Sequence, residues 1–446
     1  MNIVERLRSW IVRTLQRPSV RQLAYIYSSR VATAAIKFGA SIIVVRTLGA
    51  ANVGLVTIAS VIMGIATSVI ELGLTSTMIR KLSTHIAQND DENSIGIFRR
   101  VYLLRFAISG GFMALAYFLA PVVAVRSYGN EALTTPLRLA GLGAFIFNMY
   151  HHSDAVLRAH ERFKAEALVN VFASLARLAL LAAFAYAAIL GVNTTMVINL
   201  AEILIGYAIM SFLIPKKYYT QKIETRYPLG GVLRYSGWLF AFSLFFMLFD
   251  RLDVLMLGYF RQATEVGIYS VAFMLVRPIE MIPETLNVVF MPKVAKFTRK
   301  DQIYRYFRST LKVSGLVGIV CLALIVFAKQ LILAFYGAEY APSIGLFQIL
   351  VGAFILLTIL NPIGLVAHSL NKPQIFTMIA AINLALAFTG HLIFIPLYGT
   401  YGAAVVTLVS RVLGGIIGFF ILNFYLNRWE GNAALDAALA KGDGPK

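Results

Sequence analysis

Apolar residues run through this chain in long blocks rather than in alternation, and short polar clusters separate the blocks. Twelve such blocks can be read, at 23–45, 53–75, 101–125, 133–156, 166–190, 192–214, 232–258, 266–290, 311–335, 343–368, 374–396 and 400–427. Each reaches the ~20 residues an α-helix needs to cross ~30 Å of hydrocarbon, whereas barrel strands would show alternating segments of ~10 residues. The pattern predicts an all-α polytopic membrane protein with about twelve transmembrane helices.

The blocks are written twice. At one constant offset Asn52 to Ala59 falls on Glu265 to Ala272, Glu71 on Glu284, Met78 on Met291, Arg80 on Lys293, Asn148 on Asn361 and Asn170 on Asn383. After the fifth block a five-residue slip aligns Gly191 with Gly399. An even number of spans per copy returns the chain to the same side, so the copies predict two parallel six-helix repeats, a two-lobe bundle suited to alternating access with the substrate site between the lobes. The expected divisions are a basic N-terminal segment at 1–22, an N-lobe at 23–214, a linker at 215–231, a C-lobe at 232–427 and a tail at 428–446.

Composition agrees with a membrane location. Of 446 residues 59% are hydrophobic, leaving too little polar sequence to cover a soluble surface. The formal charge of +19 would suggest nucleic acid in a soluble protein, but its placement gives it another meaning. Alternate connections and the two ends hold 26 Lys and Arg, while the intervening connections hold only Arg46, Arg126 and Arg261. The positive-inside rule then places both termini in the cytoplasm, in a plasma (inner) membrane. The first 21 residues mix Ile3, Leu7, Trp10 and Ile11 with Arg6, Arg8, Arg13 and Arg17. They read equally as an interfacial amphipathic helix on anionic lipids or as a basic tail that fixes topology.

Enzymatic classes find little support. The connections expected outside are a handful of residues long, too short for the acids or histidines of a glycosyltransferase, and no GxxxxGK[ST] sequence occurs. Cys321 is a single thiol inside the ninth block, so neither a disulfide framework nor a thiol metal site is expected. Adjacent His151 and His152, with Asp154, point different ways on a helix and make a poor zinc site. No catalytic residue and no cofactor is assigned.

Charges inside the blocks carry the chemistry, because an ionised side chain near the bilayer centre costs ~2.5 to 3.5 kcal/mol on insertion scales. Arg30 and Lys37 lie seven residues apart on nearly one face of the first span. Asp250, Arg251 and Asp253 lie in the seventh, Arg277, Glu280 and Glu284 in the eighth, and Arg105, Arg177, Glu202 and Arg411 stand singly elsewhere. Lys37 and Asp250 are repeat counterparts of opposite sign. They are expected either to pair across the lobe interface in one state and part in another, or to belong to static salt bridges. Arg30 and Glu71 lie at matching distances from the connection at Gly49 to Asn52, so they are expected to pair within the N-lobe. Ser243 replaces that arginine in the second copy and leaves Glu284 without its counterpart.

The segment Arg46-Thr47-Leu48-Gly49-Ala50-Ala51-Asn52-Val53-Gly54 and the helix end Glu71-Leu72-Gly73-Leu74, within twelve spans in two parallel repeats, resemble the polysaccharide flippases. These are the O-antigen and exopolysaccharide exporters of the multidrug, oligosaccharidyl-lipid and polysaccharide superfamily. The resemblance implies translocation of undecaprenyl-pyrophosphate-linked oligosaccharides from the inner to the outer leaflet, alongside polysaccharide polymerases and glycosyltransferases. A lipid-linked glycan presents a highly charged pyrophosphate, and a cation-lined cavity would replace its hydration. By depth and charge the candidates for that lining are Arg30, Lys37, Arg251 and Arg277. Asp250, Asp253, Glu71 and Glu284 are candidates for gating, or for H⁺ or Na⁺ coupling. The alternative is a multidrug and toxic-compound extrusion antiporter, whose cavity for organic cations should instead be acidic and aromatic.

Overall fold

A computed structural model describes residues 18–71, 73–222, 230–294, 300–369 and 374–427, with side chains left out chiefly at 18–24, 230–239, 280–293 and 360–369. The basic N-terminal segment up to residue 17, the tail from 428 and the side chain of Glu284 lie outside the described residues. Within them the chain is helical and forms no strand.

The first helix, α1 (Pro18–Glu71), carries the first two predicted spans, joined at Gly49. There φ is 72°, a left-handed value that a residue with a Cβ resists. The second span was expected to run to residue 75. It stops at Glu71, and α2 (Leu74–Ala87) starts afresh as a separate helix that buries Leu74, Thr77, Met78 and Leu82 along one face. Asp90 caps α3 (Asp91–Val122), accepting the Asn93 backbone N–H at 3.0 Å and its side-chain amide at 2.7 Å. The helices α4 (Thr134–Ala159), α5 (Phe163–Tyr186) and α6 (Val192–Leu213) follow with short connections. The second copy is built from α7 (Gly230–Phe260), α8 (Ala263–Val294), α9 (Lys300–Val326), α10 (Ala328–Phe335), α11 (Ser343–Ser369) and α12 (Gln374–Asn427). Like α1, α12 joins two spans at a glycine, Gly399, where φ is 57°.

Six of the described helical stretches are long and apolar enough to cross a bilayer. Two of them, Tyr27–Glu71 with 45 residues and Thr377–Tyr425 with 49, have length for two crossings at 1.5 Å per residue. Large apolar side chains also face outward, among them Phe212 at 89% exposure and Phe118 at 74%. Outward-facing Phe on this scale suits contact with lipid rather than water.

Two compact units emerge. The first takes the chain up to Leu48 and Ile62–Phe240. Its core at one end joins Leu74, Met78 and Leu82 of α2 to Ile95, Phe98 and Val101 of α3 and to Ala155 and Val156 of α4. The start of the linker is part of this unit. Arg99 donates to the carbonyls of Tyr218 at 3.0 Å and Gln221 at 2.6 Å, Lys217 pairs with Asp91 at 2.5 Å, and a His160 ring nitrogen lies 2.9 Å from the Tyr218 hydroxyl.

The second unit takes Gly49–Val61 and the chain from Ala241 onward. The reason that a piece of α1 belongs here is a reciprocal contact. A Cβ on Gly54 would overlap the carbonyl oxygen of Ala263, and a Cβ on Gly267 would overlap the carbonyl oxygen of Ala50. Gly54 with Gly267, and Ala50 with Ala263, are counterparts at the constant repeat offset. Glu339 secures the same turn, its Oε1 accepting the Ala50 N–H at 2.8 Å. Nearby, Arg261 donates to the carbonyls of Ile395 at 3.2 Å and Pro396 at 2.8 Å.

Candidate functional site

Among the described residues each unit holds a cluster of charges that includes intramembrane residues picked out by the sequence. In the first unit Lys37 of α1 lies 3.4 Å from Glu202 of α6, and Arg177 of α5 lies 3.5 Å from the other oxygen of the same carboxylate. Ser174 donates to Glu202 at 2.9 Å, and the Arg177 Nε donates to Asn199 at 2.8 Å. Exposure divides the cations: the Lys37 side chain is 52% exposed, while Arg177 and Glu202 are at 16% and 15%. A shielded carboxylate and arginine therefore stand behind an accessible ammonium.

The second unit holds a similar cluster with its polarity reversed. Asp250 of α7 sits at the repeat position of Lys37, 3.3 Å from Arg251 and 3.4 Å from Arg411 of α12. In the register that aligns Gly191 with Gly399, Glu202 falls on Ser410, the immediate neighbour of Arg411. Lys37 and Asp250 thus carry opposite signs at one repeat position, while their partners Glu202 and Arg411 lie one residue out of register with each other. Here both cations are shielded, at 12% and 7%. Arg411 lies 4.7 Å from the Phe354 ring centre and Arg251 lies 5.2 Å from that of Phe273, contacts that replace part of a guanidinium's hydration.

Lys37 and Asp250 each find partners in their own unit, so neither depends on the other for neutralisation. Asp253 is buried beside this cluster, within the electrostatic field of Asp250 and Arg251, and accepts the Tyr269 hydroxyl at 2.5 Å and its neighbour's backbone N–H at 2.7 Å. Arg277 is exposed on α8. The expected pairing of Arg30 with Glu71 does not form. Arg30 is exposed and makes no ion pair among the described residues, while Glu71 lies in the electrostatic field of Arg105 and His151.

Sequence reasoning treats Arg177, Glu202 and Arg411 as single charges and passes over Tyr269. A signal for two of the pairs is present. Arg177 and Glu202 lie within one residue of the same distance from the α5–α6 connection, and Asp253 and Tyr269 likewise from the α7–α8 connection, so each pair shares nearly one depth in its hairpin. A third buried set surrounds α4. Arg158 bridges Asp154 at 3.0 Å and Glu166 at 2.7 Å, and fully buried Arg105 donates to Thr75 at 2.8 Å. His152 is buried against Phe98 and Tyr102, with ring centres 4.8 and 5.2 Å away. Among the described residues, no three His, Cys, Asp or Glu side chains converge as a metal site would require.

Comparison with known proteins places this arrangement. A family model described as "Polysaccharide biosynthesis protein" matches residues 43–345. The probable flippase AglR of Haloferax volcanii is 28% identical over 191 residues, which is 41% of this chain and 39% of that protein. The probable low-salt glycan biosynthesis flippase Agl15 of the same organism is 22% identical over 201 residues, 44% of this chain and 43% of that protein. The matches thus span about two fifths of these relatives' length. Among solved structures, the lipid II flippase MurJ in an inward closed conformation superposes with a TM-score of 0.71 at 14% identity, covering 91% of this chain and 87% of that one. An inward-facing multidrug resistance MATE family transporter does so with 0.71 at 13%, covering 89% and 95%. A MOP superfamily transporter from Pyrococcus furiosus, described as having a binding pocket of reverse polarity, gives 0.67 at 14%, covering 93% and 96%. At such identities the superpositions establish the fold, that of the multidrug, oligosaccharidyl-lipid and polysaccharide transporters. With its family match running over more than half its length, the chain belongs to the polysaccharide biosynthesis protein family.

Proposed function

We propose that this protein is a flippase that moves an undecaprenyl-pyrophosphate-linked oligosaccharide from the inner to the outer leaflet of the plasma membrane by alternating access. The observation that carries this reading is the charge balance of the first unit's cluster, where Lys37 and Arg177 face the single carboxylate of Glu202 and Lys37 is half exposed. In the second unit Arg251 and Arg411 are matched by Asp250 and the neighbouring Asp253. An accessible excess cation favours an anionic headgroup over an organic cation, which argues for a phosphate-bearing cargo on a fold shared equally with multidrug exporters. Lys37 is accessible at mid-span, where an ammonium facing lipid would be costly, so its open side faces water.

The relatives named as flippases, one of them of glycan biosynthesis, support the same cargo class. With Lys and Arg concentrated on alternate connections, both termini lie in the cytoplasm, where glycosyltransferases would supply the lipid-linked unit. The candidates for H⁺ or Na⁺ coupling in this cycle are Asp250, Asp253, Glu71 and Glu284, of which Asp250 and Asp253 already hold internal donors. Reconstituted protein should accelerate translocation of a prenyl-pyrophosphate glycan across liposomes and should not export ethidium. Ethidium export without glycan translocation would overturn the proposal.

A further inference from the structure

We infer that Glu202 and Arg177 form a resident counter-ion platform for Lys37, from which the lysine leaves to take a phosphate of the cargo and to which it returns. The inference rests on the proposed phosphate-bearing cargo and names residues that hold the binding group rather than touch the ligand.

Three features point to exchange rather than a fixed bridge. First, Lys37 is the most accessible member, at 52%, and it touches only one carboxylate oxygen, at 3.4 Å. A lysine ammonium on a four-carbon stem can swing, whereas a guanidinium held in a planar fork is committed to its partners. Second, the carboxylate does not need Lys37 to remain satisfied. Ser174 donates to Oε1 at 2.9 Å and Arg177 faces Oε2 at 3.5 Å. Asn199 in turn fixes the Arg177 Nε at 2.8 Å, so this cation stays when the lysine departs. Without that second cation, departure would strand a shielded carboxylate with no counter-ion. Third, the counterpart cluster in the second unit lacks an accessible cation of this kind, since Arg251 and Arg411 are 12% and 7% exposed.

Arg177 thus sets how readily Lys37 is released, and Glu202 sets how firmly it is drawn back. The two residues should act on anion binding with opposite signs, which a merely structural pair would not do. Full-length protein in nanodiscs can be titrated with undecaprenyl pyrophosphate carrying no glycan, and separately with inorganic pyrophosphate. Glu202→Gln should tighten binding by about two- to fivefold, as expected for freeing an ammonium from a half-exposed pair. Arg177→Met should weaken it by about tenfold, toward the level of Lys37→Met, because Lys37 then becomes the sole cation of a shielded carboxylate. Arg177→Lys should stay near wild type, and the double variant Glu202→Gln, Arg177→Met should return toward it. The same order with inorganic pyrophosphate identifies the phosphate, rather than the prenyl tail, as what Lys37 takes. Shifts of Glu202→Gln and Arg177→Met in the same direction, or no shift in either, overturn the platform while leaving the proposed cargo intact. Failure of the wild-type protein to bind either ligand overturns the proposed cargo itself.

Discussion

Adding one methyl group at Gly54 or Gly267 should damage the second unit, whereas the same change at Gly111 should not. At the first two positions a Cβ overlaps a backbone carbonyl oxygen, of Ala263 and of Ala50, and backbone cannot swing aside. Overpacking of this kind costs about 1 to 3 kcal/mol. At Gly111, on α3, no atom lies within 4 Å of the place a methyl would take, so alanine there only removes glycine's entropic penalty and stabilises by about 0.5 to 1 kcal/mol. Gly54→Ala and Gly267→Ala should therefore lower the unfolding temperature and Gly111→Ala should hold or raise it. The double variant should lose less than the sum of the singles, because whichever methyl first separates the two segments also makes room for the second. Cys321 supplies the assay. It is the chain's only cysteine and is 1% exposed, so a thiol-reactive dye in detergent reports loss of the fold directly. Wild-type melting of both Gly54→Ala and Gly267→Ala, or strict additivity in the double variant, would refute the reciprocal contact.

Two further outcomes follow from the first unit. Arg158→Ala leaves Asp154 and Glu166, at 3% and 10% side-chain exposure, without their shared cation. The loss should approach 3 kcal/mol, the lower end of the usual range of about 3 to 5, because Arg158 is itself 37% exposed and partly screened by water. The same thermal assay reads it, and adding Asp154→Asn with Glu166→Gln should recover most of the loss. At the linker, burial first, and then the charges of Arg162 and Lys217, hold His160 below its ordinary imidazole pKa while its ring meets Tyr218. A folded value below the unfolded one means the contribution is complete above about pH 6.5 and is lost as the pH falls through that value. Amide exchange across 216–221 should quicken on going from about pH 7.5 to about pH 5, after correction for intrinsic rates, and His160→Gln should flatten the response. A pH-independent exchange pattern in the wild type would contradict it.

Much of the fold was legible because the bilayer sets helix length, and because duplication leaves a constant offset that non-apolar residues betray. The repeat in the sequence predicted that Gly54 and Gly267 are equivalent, and the structure shows what equivalence means physically: each glycine receives the carbonyl of the other copy's alanine. The helix ends were less legible. Glu71 ends its helix four residues before the apolar run does, since Gly73, at φ 69°, breaks the backbone while the hydrophobic pattern continues into α2. Charge partners were legible in depth only. Nearly equal distance from a connection finds Arg177 with Glu202 and Asp253 with Tyr269, yet the same rule joins Arg30 to Glu71 wrongly. Rise along a helix is counted in residues, but the direction a side chain faces depends on how the two segments rotate about the turn, which composition does not encode.

The reversal of sign between the units shows why those partners matter more than the charges taken one at a time. Had the copies kept identical chemistry, Lys37 would meet a lysine at 250, and the two clusters would serve cargo in the same way. Instead the accessible member of the first cluster is a cation, and in the second cluster Arg251 and Arg411 are shielded and lie against phenylalanine rings. Counting charges along the sequence gives the first cluster an excess of one cation and the second none, but it does not say which of those charges is accessible. Under the proposed function, the distribution of exposure gives the first cluster the task of meeting an anion and leaves the second holding its charges internally. On that proposal a duplicated bundle diverged in this way would bind a phosphate more firmly on one side of its cycle than on the other, and a difference of about 1.4 kcal/mol between the two would already give a tenfold bias in where the headgroup resides.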